Sequence, residues 1–350
     1  MTDSTITYSS LIEEAFIKPI RNVTVIDDEY PTLLSLIESQ FSGSVPPPEN
    51  STVDANIERL KKIINMCHTT YQWGIDVFSG RYPAIGGGSN VPPHIHHSDL
   101  VILDYHLDGE PSIDDGTRAR EIIKSLDDNN HYNLILVHTK GYADDIKKVF
   151  IEILCELITI DFSNELKPSD NTISRMNDWL DDNNDGADYS WINSSLDLLP
   201  ILTSYKNNNS SVFLNIENEE HTMHGFHSQI TELSMETGID VNELVKWKFQ
   251  DLLRSKINLE KEIRPDFEWD WSEESNFIST GKTFISVIKK SSDDPAEELI
   301  GSLHAALVKR NASPMHLLMA KMRYELDEKG IERSEERRVG KSVDLGGRRI

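Results

Sequence analysis

Cysteine and long apolar runs are both scarce in this sequence. The chain has two cysteines, Cys67 and Cys155, and neither lies in a CxxC spacing, which argues against a disulfide framework and a cysteine-ligated zinc site. No apolar run approaches the roughly 20 residues of a membrane-spanning helix. Residues 1–10 also lack the basic and apolar regions of a signal peptide. We therefore expect a cytoplasmic protein with no membrane partner.

Positive charge is in short supply as well. The chain has 35 lysines and arginines against 59 acidic residues, a formal net charge of −24. Nucleic-acid affinity depends on cations that displace the counterions of the phosphate backbone, so we expect no nucleic-acid partner. The length of 350 residues with 38% hydrophobic residues is enough for two modest domains with real cores.

Short apolar runs alternate with amphipathic stretches in the first half of the chain. Residues 23–26, 100–103 and 134–137 have the continuous apolar character of buried strands, whereas residues 117–126 and 143–158 have helical spacing. This alternation is typical of βα units around a parallel sheet. We therefore predict an α/β fold with a doubly wound parallel sheet.

The second half has a different pattern and is predicted to be mostly helical, apart from a hairpin at residues 276–288. The composition becomes acidic and asparagine-rich from residue 169 to about residue 188, where we expect a domain boundary. The predicted organisation is a first domain at residues 1–170 with an insertion around 43–98, an acidic linker at 171–200, a mostly helical output or interaction domain at 201–331, and a disordered or non-native tail at 332–350.

Polar side chains follow the three predicted strands. Asp27 and Asp28 come after the first, Asp104 after the second, and Thr139 closely after the third. The carboxyl ends of parallel strands line the ligand crevice of such a sheet, so these side chains converge if the strands are neighbours. Clustered carboxylates need a hard cation, and Mg²⁺ prefers oxygen ligands. Asp104 is then a candidate nucleophile able to form an acyl phosphate, with Thr139 as a hydroxyl donor to the phosphoryl group.

These residues resemble the receiver domain of two-component response regulators. The resemblance rests on VIDDE at residues 25–29, DLVILDYHLDG at 99–109, Gly116 before a helix, Thr139 at a strand end, and Lys167-Pro168. It covers roughly residues 20–170 and implies a flavodoxin-like fold. Its motifs are weak singly and fairly specific in this order.

The resemblance also implies roles for individual residues. Asp28 would bind Mg²⁺ directly and Asp27 through water, with the backbone carbonyl of His106 as a further ligand. Asp104 would be phosphorylated. Lys167 would pair with the phosphoryl group, with Lys140 as the alternative lysine. The expected partners are a histidine kinase or phosphotransfer protein and a protein output partner, with a homodimer as a further possibility.

Two alternative functions remain open at this stage. One is a Mg²⁺-dependent aspartyl phosphatase of the haloacid dehalogenase kind, although that family has a second acid two residues after its nucleophile, where this chain has His106. The other is a degenerate pseudo-receiver that serves as a scaffold without phosphorylation. The leading hypothesis is a phosphoacceptor of a two-component or phosphorelay system, which is not an enzyme beyond self-catalysed phosphorylation and dephosphorylation.

Overall fold

A computed structural model of the chain describes residues 7–41, 51–80, 91–109, 113–159, 167–207, 214–257, 264–290 and 294–326. It divides the chain into two compact units, the first formed by Met1–Phe150 together with Asp266–Ile350 and the second by Ile151–Pro265. Among the helices in the described ranges, none is both long enough and apolar enough to cross a membrane.

The first unit is built on a mostly parallel β-sheet. Its strands in the described chain are β1 Asn22–Ile26, β2 Gly74–Phe78, β3 Leu100–Leu103, β4 Asn133–Thr139, β5 Glu268–Asp270, β6 Phe277–Ser279 and β7 Thr283–Lys289. Their spatial order is β2-β1-β3-β4-β7-β6-β5. The first five strands in that order are parallel, and β6 and β5 extend the sheet antiparallel beyond β7. The predicted α/β fold class is confirmed, and the parallel part has the doubly wound order of flavodoxin-like folds.

Helices surround this sheet and also form the second unit. The first unit contains α1 Tyr8–Ile12, α2 Leu33–Phe41, α3 Ser51–Asn65 and α4 Thr117–Asp127. Helix α5, Ile146–Leu157, crosses the boundary between the two units. The second unit contains α6 Asp170–Asp182, α7 Leu198–Lys206, α8 His227–Thr237 and α9 Val241–Lys256. The first unit then resumes, and its described part includes α10 Pro295–Arg310 and a helix at residues 314–326, α11. Pi-helical turns extend α1 through Glu13–Ile17 and α3 through Met66–Tyr71.

The apolar runs read from the sequence form the centre of the sheet. Every residue of β3 and β4 is buried, as expected for parallel strands covered on both faces. The core of the first unit joins residues from distant parts of the chain, including Val25 of β1, Leu136 of β4, Phe284 of β7 and Leu303 of α10. The late strand β7 is therefore an integral part of the same core.

The predicted domain boundaries need correction. The predicted first domain ended at residue 170, but the sheet is completed by β7, which pairs with β4 in parallel from Asn133–Thr283 to Thr139–Lys289. The predicted hairpin at residues 276–288 is confirmed as β6 and β7, yet it belongs to the first unit and not to a separate helical domain. The predicted output domain at 201–331 is thus divided between the two units.

The predicted linker and the predicted insertion also differ from the structure. The segment 171–200, predicted as a linker, contains most of α6 and the start of α7 within the second unit. The insertion predicted around residues 43–98 contains α3 and β2, so this part of the chain supplies the sheet with its β2 strand. The tail predicted at 332–350 lies outside the described residues.

Candidate functional site

The carboxyl ends of β1 and β3 place the predicted acidic residues side by side. The two strands pair in register, with Ile26 opposite Leu103, so Asp27 and Asp104 follow at the same edge of the sheet. The backbone N–H of Asp104 donates to the carbonyl of Ile26 at 2.8 Å. The convergence predicted from the strand ends is therefore present in the structure.

Asp27, Asp28 and Asp104 form a compact acidic cluster. Each offers a carboxylate oxygen, and these oxygens lie within 4.8 Å of one another. Asp27 is 3% exposed and Asp104 is 7% exposed, whereas Asp28 is half-buried. The Oδ1 atom of Asp27 also accepts a hydrogen bond from the backbone N–H of Glu29 at 2.9 Å. A buried cluster of carboxylates is a costly arrangement unless positive charge compensates it.

Lys290 supplies positive charge to this cluster. Its ammonium Nζ lies 2.6 Å from Oδ2 of Asp104 and 2.9 Å from Oδ2 of Asp27, and its side chain is only 4% exposed. It follows β7 directly, and its backbone N–H donates to the carbonyl of Thr139 at 2.8 Å. The neighbouring strand β4 thus fixes the backbone of Lys290 at the carboxyl edge, and the side chain reaches both aspartates.

The two lysines predicted from the sequence have other partners. Lys167 lies in the second unit, with its Nζ 3.7 Å from Oδ1 of Asp170. Lys140 pairs with Glu29 at 3.1 Å. The lysine that contacts the acidic cluster is therefore Lys290, so the predicted choice of Lys167, with Lys140 as its alternative, needs correction. The physical reason is topological, because the lysine comes from the strand beside β4, and the chain reaches that strand only after the helical unit.

Burial and unequal charge set the protonation of the site. Burial raises the pKa of Asp104 above its usual range, and the Lys290 ammonium opposes that rise without cancelling it. The pKa of Asp27 is raised for the same reason, with the nearby Asp104 charge as a further contribution. Burial alone would lower the pKa of Lys290, but the two carboxylates outweigh it and raise that pKa. The lysine therefore stays charged, and one ammonium faces a surplus of carboxylates.

The residues of the cluster fit a magnesium ion. A hard divalent cation takes oxygen ligands and would balance the surplus negative charge that a single ammonium leaves. Asp27, Asp28 and Asp104 supply such oxygens at one sheet edge. The backbone carbonyl of His106 stays a predicted fourth protein ligand. The imidazole of His106 is turned to other partners, because its Nδ1 lies 3.1 Å from the carbonyl of Asp114.

Thr139 and Gly116 have the positions expected from the sequence. Thr139 ends β4, which neighbours the strand that carries Asp104, and it is fully buried. Its hydroxyl oxygen accepts a hydrogen bond from the backbone N–H of Gly141 at 3.1 Å, which leaves the hydroxyl proton to donate. Gly116 precedes α4 with a φ of +71°, and a Cβ there would collide with the ring of Tyr105. A glycine is therefore required at that position.

Comparison with known proteins agrees with this architecture. Residues 19–187 match the family model of the response receiver domain. This part of the chain therefore matches the receiver domain, a class whose members typically bind Mg²⁺ through acidic residues and interact with kinases or phosphotransfer proteins. Neither the curated proteins nor the solved structures gave a match. The matched segment ends before β7, so it does not contain Lys290, and it includes α6 of the second unit.

The sequence does contain a signal for Lys290. Residues 284–288 form a short apolar run that ends in two lysines, which is the same pattern of buried strand and polar end that identified the aspartates. Its distance along the chain from the other strands obscured the connection. Only the sheet order shows that this run lies beside β4.

Proposed function

We propose that this protein is a response regulator of a two-component or phosphorelay system that is phosphorylated on Asp104 in the presence of Mg²⁺. The observation that carries the proposal is the contact of Lys290 with both Asp104 and Asp27 inside the acidic cluster. Three carboxylates, a buried ammonium and a strand-end hydroxyl are the groups that phosphoryl transfer to an aspartate requires. They come from four different strands, which makes a chance grouping of solvated strand ends a poor explanation.

In the proposed reaction, a carboxylate oxygen of Asp104 attacks the phosphorus of a phosphohistidine on the donor. A carboxyl oxygen–phosphorus bond forms, the phosphorus–nitrogen bond breaks, and the ring nitrogen keeps the electron pair and takes a proton from solvent, so that neutral imidazole leaves. Lys290 holds Oδ2 of Asp104 and fixes the orientation of the carboxylate before the reaction. The Lys290 ammonium and the Thr139 hydroxyl would then bind oxygens of the new phosphoryl group. Bound Mg²⁺ would offset the negative charge of that group.

The second unit is the proposed site of output. Residues Ile151–Pro265 form a compact helical unit within the chain, after the α5 helix that follows Thr139. Phosphorylation adds charge at Asp104, and a shift of Thr139 towards the phosphoryl group would change the start of the segment that leads into this unit. The strongly acidic chain favours a protein partner over nucleic acid. We also propose a cytoplasmic location and no enzymatic activity beyond self-catalysed phosphorylation and dephosphorylation.

A phosphorylation assay with the full chain tests the proposal. Incubation with acetyl phosphate and Mg²⁺ should add one phosphoryl group by intact mass, and the adduct should be acid-labile. Asp104→Asn should abolish it. No adduct in the wild-type protein, or an adduct that persists in Asp104→Asn, would refute the assignment. Multiple turnover of small phosphomonoesters would instead support the phosphatase alternative.

Beryllofluoride binding separates the lysines. Lys290→Ala should lose binding of this phosphoryl mimic, whereas Lys167→Ala should bind as the wild type does. The opposite result would restore the assignment made from the sequence.

A further inference from the structure

An exposed ion pair joins the two loops on either side of Asp104. The Nζ atom of Lys140 lies 3.1 Å from Oε1 and 3.5 Å from Oε2 of Glu29. Glu29 follows β1 and Lys140 follows β4. Glu29 is also held from α3, because the Nδ2 atom of Asn56 donates to its Oε2 at 3.4 Å. The pair therefore links the loop after β1 to the loop after β4, and α3 adds a hydrogen bond to Glu29.

The strand order determines where this pair lies. β3 is located between β1 and β4, so a bridge from the end of β1 to the end of β4 crosses the carboxyl end of β3, where Asp104 lies. The negative charge of Glu29 contributes to the rise in the pKa of Asp104, so the two carboxylates are close enough to interact. The side chain of Asp104 is 8% exposed, whereas those of Lys140 and Glu29 are 59% and 38% exposed. The pair therefore lies at the same sheet edge as the phosphoacceptor and is much more exposed to solvent.

We propose that Glu29 and Lys140 are specificity-determining residues of the phosphoacceptor site, an inference that rests on the proposed function. Their ion pair restricts the approach of small phosphodonors and of water to Asp104. A protein donor can separate the pair by offering each side chain a charged partner of its own. The site therefore favours transfer from a protein over transfer from a free metabolite.

The pair affects both reactions of Asp104. With acetyl phosphate, the bond from the Asp104 oxygen to phosphorus forms while the bond from phosphorus to the acetate oxygen breaks, and acetate leaves. In hydrolysis, a water oxygen attacks the same phosphorus, the bond to Asp104 breaks, and carboxylate and inorganic phosphate form, with the proton of the water passing to phosphate. Both reactions require a small molecule to reach phosphorus or carboxylate from the solvent side.

The strength of the pair limits the size of the effect. Exposed ion pairs contribute at most about 1 kcal/mol, which corresponds to a factor of about five in a rate or an equilibrium. Lys140→Ala should therefore accelerate phosphorylation by acetyl phosphate about two- to fivefold. It should shorten the lifetime of the aspartyl phosphate by a similar factor. The charge-swapped double variant, E29K with K140E, again places opposite charges at the two positions and should return both rates towards those of the wild type.

A second phosphodonor distinguishes an ion pair that blocks access to Asp104 from a lysine that only attracts anionic donors. If Lys140 only attracted anions, Lys140→Ala would slow phosphorylation, and acetyl phosphate would be affected more than the less negatively charged phosphoramidate. If the ion pair blocks access instead, Lys140→Ala should accelerate phosphorylation with both donors. Lys167→Ala is the matched control, because that lysine also has an exposed acidic partner but lies in the other unit, and its rates should be unchanged.

The possible outcomes distinguish a failure of the proposed function from a failure of the proposed role of Glu29 and Lys140. If wild-type Asp104 accepts no phosphoryl group, the proposed function is refuted and this inference with it. If the wild type is phosphorylated but Lys140→Ala is unchanged or slower, or the charge swap fails to restore the rates, the inference alone is refuted. Faster phosphorylation and hydrolysis in Lys140→Ala, with restoration by the swap, would support it.

Discussion

Removal of the Lys290 ammonium should destabilise the first unit strongly. In Lys290→Met the side chain keeps its approximate length, but Asp27 and Asp104 lose a partner that is itself only 4% exposed. Removal of one member of a buried ion pair typically costs about 3–5 kcal/mol, because the remaining charge is left without compensation. That is a large part of the roughly 5–15 kcal/mol that stabilises an ordinary domain. The effect should be largest in EDTA, where no divalent cation replaces the lost charge.

Hydrogen exchange is the appropriate measurement for this variant. A chain with two units does not unfold in one step, so a single melting temperature is not decisive, whereas the amides of β3 and β4 report on the first unit alone. If those amides exchange by opening of the whole unit, a loss of about 3 kcal/mol accelerates exchange roughly 100-fold. Lys140→Met is the control, because its exposed pair is expected to contribute under about 1 kcal/mol.

The comparison of Lys290→Met with Lys140→Met tests whether Lys290 compensates the charge of the buried carboxylates. If Lys290→Met changes exchange no more than Lys140→Met does, Lys290 is not the main compensation of the buried carboxylates. The contact geometry would then have no energetic significance. The difference should also diminish at low pH, because protonation of Asp104 removes the charge that Lys290 balances.

Two further predictions concern the cation and the tight turn before α4. Burial raises the pKa of both Asp27 and Asp104 in the metal-free protein. These groups therefore favour folding at a pH below the ordinary aspartate pKa of about 4. That contribution to stability is lost as the pH rises through the raised pKa values. Stabilisation of the first unit by Mg²⁺ should consequently increase with pH. Hydrogen exchange of the β3 and β4 amides with and without Mg²⁺, corrected for the intrinsic pH dependence of exchange, would show this, and a pH-independent increment would contradict the site. Gly116→Ala should cost about 2 kcal/mol or more by hydrogen exchange of the β3 and β4 amides, because the φ is +71° and the ring of Tyr105 occupies the space. Gly301→Ala in α10, where nothing lies within 4 Å, should instead be neutral or stabilising.

The strands and the aspartates were predictable because their signals are local. A continuous apolar run such as residues 100–103 can bury both faces only in the interior of a sheet, and a polar residue must follow where the strand leaves the core. Asp27, Asp28 and Asp104 can therefore be grouped by their positions in the sequence alone. Thr139 is found by the same reasoning at the end of β4.

The position of the lysine was not predictable in this way. Lys167 follows the predicted helix at residues 143–158 at a plausible distance, although no continuous apolar run precedes it directly. Lys290 acquires its role because β7 pairs with β4. Strand pairing between segments so far apart is a property of the tertiary fold, which residue spacing does not encode.

The interrupted first unit leads to a final prediction. A truncated protein of residues 1–187, which contains the whole matched segment, should not fold into a working receiver. It lacks β7, so every residue of β4 that is now buried would lie at an open sheet edge. It also lacks Phe284, Leu299 and Leu303, which are buried in the shared core. At about 1.5–3 kcal/mol for each such side chain, these losses approach the whole stability of an ordinary domain.

A second truncation separates the missing strand from the missing helical unit. A chain in which residues 160–263 are replaced by a short flexible linker keeps β7, Lys290 and α10 while it removes most of the second unit. The shortened protein should protect the amides of β3 and β4 and accept a phosphoryl group from acetyl phosphate, whereas residues 1–187 should do neither. A phosphorylated 1–187 fragment would contradict the requirement for Lys290. If the deletion variant and the 1–187 fragment both failed, the sheet would depend on the second unit as well as on β7.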